Sequence, residues 1–428
     1  MVDGFARSVG RAAAGVKTAA RTVLPVDSNP VPGEWRHVTK VDPEDEKRLP
    51  LLYPLYLRHT DAVSVGGSSD VTPRNTEETF DLLRFVPTPA FHEPSAPEHV
   101  TEETRDAASF VAIPEVVNGD VEAMVGELGR AIEHVRDDLA PARVDDRLPW
   151  VPRRVRDAVG EFAASWLVET ANFEAYVIQN PDSAAARESG VAPEDVLSPQ
   201  EAARRAMAAE RRLGSEVLYV EYSGTYGGEE GRAVLSAVDD AVDWSRVWYG
   251  GGIDDREAAL SMLSAGADAV VVGDAFHEVA EEEADLCERA LADLPLEADR
   301  GTIDEWLTDE VTLDETDAAS FLSTVPSVPD PTARAREYLA AAVRTRLRIA
   351  ALARDLGPDA SASQVCRRLA REGPPGERAL TVLDDHGRAY ATAVGLAALG
   401  AEVGVDAGSL PVEHVAPCAE PDATPRPG

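Results

Sequence analysis

Lysine is nearly absent from this chain, which has 428 residues and only three lysines, Lys17, Lys40 and Lys47. Almost all of its 41 basic residues are therefore arginine, and they stand against 77 aspartates and glutamates, which gives a formal net charge of −36. A surface this acidic repels nucleic-acid phosphates, so a nucleic-acid partner is excluded. A lysine kept in so lysine-poor a chain is a candidate for a specific task, and Lys40 is the strongest such candidate.

Cysteine is also scarce, and long apolar runs are missing. The three cysteines, Cys287, Cys366 and Cys418, are too few and too scattered for a disulfide framework, which fits a reducing cytoplasm. No uninterrupted apolar run approaches the roughly 18 residues that a membrane-spanning helix needs. We therefore expect a cytoplasmic protein without a transmembrane helix.

Eight short apolar runs rich in β-branched residues are present, and polar or turn residues bound each of them. They lie near 37–41, 62–66, 88–92, 109–114, 175–179, 217–222, 246–250 and 269–273. Segments of helical composition separate several of them, such as Pro199 to Arg212, Gly231 to Val242 and Asp255 to Ala265. Strands that alternate with helices predict a parallel sheet, and eight such units predict an α/β protein with a TIM (β/α)₈-type barrel. Because the connection between the second and third runs looks short and irregular, we expect its outer helix to be missing or degenerate.

Three of the later runs end in small residues. Tyr219-Val220-Glu221-Tyr222-Ser223-Gly224 ends the sixth run, Gly250-Gly251-Gly252 ends the seventh, and Gly273-Asp274 ends the eighth. Backbone N–H groups at such positions can be approached closely, and TIM barrels bind phosphates at the loops after their late strands. Any one of these glycines alone is typical of an ordinary turn. Three successive strand ends of this kind predict a phosphate site at the C-terminal face of the barrel.

The first two runs are followed by polar residues suited to a metal. Lys40 and Asp42 close the first run, and Ser68 follows the second. A carboxylate and a hydroxyl on neighbouring strand ends suit Mg²⁺, which completes its shell with water and substrate phosphates. Lys40 is a point charge suited to an anionic substrate. The alternative for Asp42-Pro43 is an ordinary Asx-Pro turn.

Seven stretches together resemble one known family. In order they are WRHVTKVDP, TDAVSVGGSSDVT, HEPS, EAYVIQNPDSA, YVEYSGTYG, YGGGID and GADAVVVGDAF, and they span roughly Trp35 to Glu278. They resemble the geranylgeranylglyceryl phosphate synthases, the archaeal prenyltransferases that make the first ether bond of membrane lipids. The bacterial heptaprenylglyceryl phosphate synthases belong to the same family. YVEYSGTYG and YGGGID are the specific part of the resemblance, and HEPS and NPDSA support it.

The resemblance implies an Mg²⁺-dependent transfer of a geranylgeranyl group from its diphosphate to the C3 hydroxyl of sn-glycerol 1-phosphate. It implies that Asp42 and Ser68 hold Mg²⁺, and that Glu221 accepts the proton of the attacking hydroxyl beside Tyr219. The residues that it implies for glycerol phosphate binding are Lys40, Tyr219, Val220, Glu221, Tyr222, Ser223, Gly224, Gly251, Gly252, Gly273 and Asp274. The family usually has asparagine at position 274, and a carboxylate there is unfavourable beside a phosphate unless only its backbone N–H faces the ligand.

Two alternatives to this function stay open. A catalytically quiet relative would use the barrel as a binding scaffold, but it should have lost at least one of Lys40, Asp42, Ser68, Tyr219 and Glu221, and all are present. A prenyltransferase for another three-carbon phosphate is left open by Asp274. We also expect a homo-oligomer. The acid-rich, lysine-poor composition resembles that of proteins from salt-adapted archaea.

The chain is longer than one barrel, and five regions are expected. They are an N-terminal amphipathic segment at 1–31, the barrel at 32–284, an irregular acidic linker or strap at 285–331, an all-helical domain at 332–410, and a disordered tail at 411–428. Because every strand-end residue lies before 332, we expect the helical domain to be dispensable for the chemistry.

The N-terminal segment is basic in an otherwise acidic chain. At helical spacing, Arg7, Arg11, Lys17 and Arg21 fall mostly on one face, and apolar residues fall on another. A basic amphipathic helix predicts peripheral contact with anionic lipid at the inner membrane face. A helix packed on the barrel, or a frayed tail, is the alternative.

Overall fold

The computed structural model describes Asp27 and the ranges 29–45, 47–67, 71–119 and 126–407. Three sequence-based expectations lie outside these residues, namely the amphipathic helix up to Leu24, the role of Ser68 and the tail 411–428.

Eight strands form one sheet, and their bounds follow the predicted apolar runs. They are β1 His37–Val41, β2 Ala62–Val65, β3 Ala90–His92, β4 Ala112–Val116, β5 Asn172–Ile178, β6 Val217–Glu221, β7 Arg246–Gly250 and β8 Ala269–Val272. The strand order is β3-β2-β1-β8-β7-β6-β5-β4. Strand β2 pairs in parallel with β1 and β3, and the pairs from β4 to β7 are parallel as well. This order places β1 beside β8, as in a (β/α)₈-type barrel, and confirms the predicted fold class.

The predicted run at 109–114 divides between two pairings. The Ser109 N–H donates to the Ala90 carbonyl at 2.8 Å, and the His92 N–H donates to the Phe110 carbonyl at 3.1 Å. Val111 then forms a parallel bridge with His92. The chain runs directly from this bridge into β4, so the segment before β4 extends the sheet at the β3 edge.

Helices follow most of the strands. They are α1 Tyr53–Leu57, α2 Pro73–Leu83, α3 Glu102–Ala107, α4 Glu127–His134, α5 Ala140–Arg147, α6 Arg153–Thr170, α7 Ala184–Glu188, α8 Pro199–Ala208, α9 Gly228–Asp239, α10 Arg256–Ser264, α11 Asp274–Asp293, α12 Arg300–Glu310, α13 Asp317–Thr324, α14 Pro331–Leu356, α15 Ala362–Glu372, α16 Glu377–Leu380 and α17 Asp384–Glu402.

The expectation of a missing helix between β2 and β3 is wrong. Helix α2 has 11 residues there, and the Thr72 side chain accepts a hydrogen bond from the Asn75 N–H. Pro73 occupies the first helical turn, where its missing N–H removes no intrahelical bond. A Thr-Pro pair is therefore a good helix start, although it looks like a turn when taken alone.

The expectation of an irregular segment at 285–331 is also wrong. Helix α11 continues to Asp293, and α12 and α13 occupy much of the remainder. Asp299 and Thr316 cap α12 and α13 by accepting backbone hydrogen bonds. Acidic residues at helix starts favour helices, because they complement the positive end of the helix dipole.

The described contacts group into two compact units. The β4–β7 unit contains Ala112–Gly252, Ser261–Val270 and the described residues up to Trp35. The β1–β3 unit contains Arg36–Val111, Ile253–Leu260 and the described residues from Val271 onward. The C-terminal helices therefore belong to the same unit as the first three strands.

The C-terminal helices cover the buried α1 region. The Tyr390 hydroxyl of α17 donates to the Leu51 carbonyl at 2.7 Å, and its ring lies 5.0 Å from that of Tyr53. The Tyr338 hydroxyl of α14 lies 2.8 Å from His59 Nε2, and its ring packs edge-on against Tyr56 at 5.1 Å. We therefore expect the extension to stabilise this unit, even where it takes no part in the chemistry.

Glu283 of α11 is a buried carboxyl group in this packing. One of its oxygens accepts a hydrogen bond from the Leu51 N–H, and the other has no hydrogen-bond partner. Burial raises the pKa of Glu283 to about 8 from an ordinary value of 4.5. The side chain is therefore neutral in the folded protein at pH 7, whereas it is ionised in the unfolded chain.

We expect Glu283→Gln to stabilise the protein at pH 8 and to have little effect at pH 5. A raised folded pKa contributes stability that is complete below pH 4.5 and is lost as the pH rises towards 8. Glutamine keeps the acceptor for Leu51 but has no proton to lose. Calorimetric melting at pH 5, 6.5 and 8 measures the effect, and Glu281→Gln, at an exposed neighbour, is the control. An equal loss of stability at every pH would contradict this account.

Candidate active site

Strand β6 ends in two of the predicted site residues, and their side chains share one face. Tyr219 and Glu221 are two residues apart, so both project from the same side of the strand, and each is at most 3% exposed. Val220 projects from the opposite side and is fully buried, so only its backbone is available to a ligand on the Glu221 face. The predicted pair for catalysis is thus brought together, and Val220 is not a side-chain partner.

The turn after β6 holds Glu221 in place. Glu221 Oε1 accepts hydrogen bonds from the Ser223 N–H at 3.2 Å and from the Ser223 hydroxyl. The Ser223 carbonyl in turn accepts from Asn180 Nδ2 of the β5 end at 2.6 Å. Gly224 has φ +77°, which favours glycine. Asn180 therefore fixes the turn that orients the carboxylate.

The side chain of Tyr219 explains why position 250 is a glycine. Its ring stacks on Tyr176 at 4.6 Å, and its hydroxyl lies over Gly250. A Cβ atom at Gly250 would lie 1.8 Å from that hydroxyl, which no side chain tolerates. Gly250 thus allows the end of β7 to lie against the Tyr219 side chain.

Gly251 and Gly252 allow two backbones to approach each other. They have φ +137° and +54°, and a Cβ atom on either would lie 2.5 Å from the backbone of Tyr222 or Tyr226. The Tyr222 N–H also donates to the Gly250 carbonyl at 2.7 Å. Gly251 and Gly252 therefore have the role of ordinary turn glycines, at least in part. The turn that they form lies directly beside Ser223.

Tyr222 faces the interior. Its ring stacks on Tyr249 at 5.8 Å, its exposure is 4%, and its hydroxyl lies 3.5 Å from Glu230. The Tyr249 hydroxyl accepts from the Gly227 N–H at 2.8 Å. Of the residues expected to bind phosphate, Tyr222 therefore offers backbone groups rather than its side chain.

In the β1–β3 unit, Lys40 is paired with a carboxylate. Lys40 Nζ lies 2.8 Å from Glu93 Oε1, and Glu93 Oε2 accepts from the Ser64 hydroxyl at 2.8 Å. Glu93 belongs to the HEPS stretch, which the sequence marked only as support for the resemblance. The sequence did not predict that Glu93 positions Lys40, because the two residues are neighbours only across the sheet.

Asp42 lies against the glycines that follow β2. A Cβ atom at Gly67 would be 3.2 Å from Asp42 Oδ1, and one at Gly66 would be 2.6 Å from the Glu93 carbonyl. These two glycines let the ends of β1 and β3 approach the same loop. That loop leads into Ser68, which is not among the described residues.

Burial raises the pKa of Asp42, and the negative charges of Asp274 and Glu93 raise it further. The charges of His277 and Lys40 act in the opposite direction. His277 Nε2 is buried and has no hydrogen-bond partner in the structure. Burial lowers the pKa of His277, and the charges of Asp42 and Asp274 oppose that shift. The sequence did not identify His277, although its position three residues after Asp274 places both on one side of α11.

Gly273 and Asp274 begin the 20-residue helix α11. The N–H groups at a helix start attract anions, which supports the expectation of a phosphate site. A Cβ atom at Gly273 would lie 3.6 Å from the Lys40 Cβ, an ordinary distance, so packing does not require glycine there. Asp274 is exposed in the first turn, where its carboxylate would compete with a bound anion for the helix dipole.

The donor set suits a cation that keeps its own water or phosphate ligands. Among the described residues, no group of three or more His, Cys, Asp or Glu side chains could hold a metal ion by itself. Asp42 is a half-buried carboxylate whose ionised form a nearby cation would favour. Mg²⁺ is commonly held by one or two carboxylates and substrate phosphates, so Asp42 fits that role.

The strand order and the surrounding helices define a (β/α)₈-type barrel, a class of protein whose active sites lie at the carboxyl ends of the strands, where Glu221, the late glycines and Asp42 are found. The model of the PcrB family matches residues 32–291. The chain therefore belongs to the PcrB family, and helices α12–α17 lie beyond the matched residues.

Relatives of known name are similar over the same region. The "Geranylgeranylglyceryl phosphate synthase" of Halobacterium salinarum is 35% identical over 57% of this chain and 89% of its own length. That of Haloquadratum walsbyi is 32% identical over 57% of this chain and 88% of its own. The solved (S)-3-O-geranylgeranylglyceryl phosphate synthase of Thermoplasma acidophilum, in complex with sn-glycerol-1-phosphate, covers 57% of this chain and 86% of its own, at 21% identity and a TM-score of 0.41. Within the described residues, no helix has the length and apolar character to cross a membrane.

Proposed function

We propose that this protein transfers a geranylgeranyl group from geranylgeranyl diphosphate to the C3 hydroxyl of sn-glycerol 1-phosphate. Membership of the PcrB family and the names of the similar proteins support this activity. The observation that carries it in this chain is the end of β6, where the buried Glu221 is fixed by the Ser223 turn beside Tyr219. An ether bond forms between the glycerol oxygen and the first prenyl carbon, and the bond from that carbon to diphosphate breaks.

Glu221 is proposed as the base for this step. The hydroxyl proton passes to Glu221 as the glycerol oxygen attacks, and diphosphate leaves with the bonding electrons. A base of this kind needs a fixed position, because proton transfer requires hydrogen-bond distance to the reacting hydroxyl. The hydrogen bonds from Ser223 supply that fixation. Tyr219, on the same face, is proposed to position the glycerol hydroxyls.

The phosphate of the acceptor is proposed to bind through backbone N–H groups. Gly224, Gly251 and Gly252 provide candidate donors in the β4–β7 unit, whereas the Ser223 N–H already donates to Glu221. In the β1–β3 unit, the N–H groups of Gly273 and Asp274 at the start of α11 and the ammonium group of Lys40 are the candidates. We assign the backbone of Asp274 to this role rather than its carboxylate, because a carboxylate repels phosphate.

Asp42, with Ser68, is proposed to hold Mg²⁺. When bound, the ion would neutralise the charge that grows on the leaving diphosphate. The contribution of the chain is to keep Asp42 partly desolvated, so that its carboxylate favours a cation beside it.

The activity is tested with purified full-length protein, Mg²⁺, geranylgeranyl diphosphate and either sn-glycerol 1-phosphate or its 3-phosphate enantiomer. We expect the ether product, identified by mass spectrometry, with a clear preference for the 1-phosphate. Dihydroxyacetone phosphate is included because Asp274 leaves open a different three-carbon phosphate as the acceptor. Exclusive use of the 3-phosphate would contradict the acceptor, and no product with any acceptor would favour a catalytically quiet scaffold.

A further inference from the structure

The connection between β4 and β5 contains a helical segment that the sequence analysis did not single out. We call its described residues, 126–170, the β4–β5 insertion, which comprises α4, a π-helical turn at Val135–Leu139, α5 and α6. It follows the carboxyl end of β4. In the parallel register of β4, β5 and β6, Val116 pairs with Tyr176, and Ile178 pairs with Glu221. The insertion therefore begins on the side of the sheet to which the Glu221 end of β6 points.

Large apolar side chains are exposed on the insertion. Ten large hydrophobic residues of the described chain are exposed, and half of them lie between 126 and 170. Within the insertion the most exposed are Trp150 at 76%, Phe162 at 68%, Trp166 at 59% and Val155 at 50%. Exposed aromatic residues clustered in this way mark an interaction surface, whereas single ones are normal.

Helix α6 exposes its large apolar residues and buries small ones. Val155, Phe162 and Trp166 are seven and four residues apart, so they share one face, and the rings of Phe162 and Trp166 stack at 6.4 Å. Among residues 153–168, whose exposure is described, the buried positions are the small residues Gly160 and Ala164. A helix that only packs on a soluble core buries its large apolar residues instead.

The exposed tryptophan lies in a basic stretch. Between 147 and 156 the chain carries Arg147, Arg153, Arg154 and Arg156 and no acidic residue, although its net charge is −36. Arg153 and Arg154 are exposed and form no ion pair with another described residue, whereas Arg156 pairs with Asp145 at 2.6 Å. Tryptophan beside arginine is the composition of segments that lie at the interface of an anionic bilayer.

We propose that the β4–β5 insertion docks the protein on an anionic lipid surface. Trp150, Val155, Phe162 and Trp166 enter the headgroup region, and Arg153 and Arg154 face lipid phosphates. The positive stretch supplies the charge complementarity that an acidic protein otherwise lacks at such a surface. This binding deepens the proposed function, because a geranylgeranyl donor and its product both partition into a bilayer, but it is measured without any transfer reaction.

The proposal is tested by cosedimentation of the full chain with vesicles of phosphatidylglycerol and phosphatidylcholine, and with vesicles of phosphatidylcholine alone. We expect binding to the anionic vesicles that weakens as salt is raised from about 0.1 M to 1 M, because salt screens the arginines. The triple variant Trp150→Ser/Phe162→Ser/Trp166→Ser should lower the bound fraction at least tenfold. Arg153→Glu/Arg154→Glu should abolish the preference for anionic vesicles.

Two matched controls lie elsewhere on the surface. Leu213→Ser/Leu260→Ser/Val382→Ser removes three other exposed apolar side chains, and Arg74→Glu/Arg388→Glu reverses two other exposed charges. Both should bind vesicles as the wild type does. Circular dichroism and prenyl transfer in detergent verify that each variant is folded, so a failure of the proposed reaction is distinguishable from a failure of docking.

Three outcomes would overturn the proposal. One is wild-type vesicle binding by the triple variant. Another is that the triple variant still binds vesicles but has a smaller particle mass than the wild type in light scattering. The surface would then be an interface between copies of the chain. The third is complete loss of binding when Met1–Leu24 is deleted, since the insertion would then contribute nothing by itself.

Discussion

Glu221→Gln is expected to lower kcat roughly 10²-fold or more, because general bases contribute on that scale. Glutamine keeps an oxygen that accepts from the Ser223 N–H, so the turn after β6 should stay in place. The affinity for geranylgeranyl diphosphate should therefore change little. Single-turnover rates at saturating concentrations of both substrates measure the effect on the chemical step.

Ser223→Ala is the matched control for this variant. It removes the hydroxyl that donates to Glu221 but retains the backbone donor and the carboxylate. We expect a smaller loss of rate than for Glu221→Gln. If Glu221→Gln raised only the KM for sn-glycerol 1-phosphate and left kcat unchanged, Glu221 would be a binding residue and the base would lie elsewhere.

Asp42→Asn is expected to abolish Mg²⁺-dependent turnover while the protein melts at the same or a higher temperature. A metal ligand at the leaving diphosphate stabilises the transition state by several kcal/mol, which corresponds to about 10³-fold in rate or more. Burial raises the pKa of Asp42, so its ionised form opposes folding at pH 7. The neutral amide removes that cost, and activity and stability should move in opposite directions.

Mg²⁺ titrations of turnover, together with calorimetry at pH 7, measure the two effects. Asp45→Asn, at an exposed position in the same loop, is the control and should leave both unchanged. A near-native rate for Asp42→Asn at saturating Mg²⁺ would show that the metal is held by other residues.

The strands were predictable because each apolar run ends at a polar or small residue. Strands β1 and β7 were predicted to the residue, and the sixth predicted run contains the whole of β6. Helices α12 and α13 were missed because their composition is acidic. Their starts depend on single capping residues, Asp299 and Thr316, which a composition-based argument overlooks.

Contacts between distant residues could not be derived from the sequence. The pairing of Lys40 with Glu93 and the proximity of His277 to Asp42 depend on which strand ends and helix starts meet. The glycines illustrate the same limit. Gly250 looks like part of a phosphate loop, and the structure shows that the hydroxyl of Tyr219 requires it.

The packing of Tyr390 against Leu51 and Tyr53 has a consequence for synthesis on the ribosome. The two ends of that hydrogen bond are 339 residues apart, and at roughly 5–20 residues per second the first end waits roughly 17–70 s for the second. The residues assigned to the β4–β7 unit have all been made once Val270 emerges. The apolar α1 segment meanwhile lacks its cover from α17, so a nascent chain of this protein offers chaperones a defined early binding site until α17 is complete.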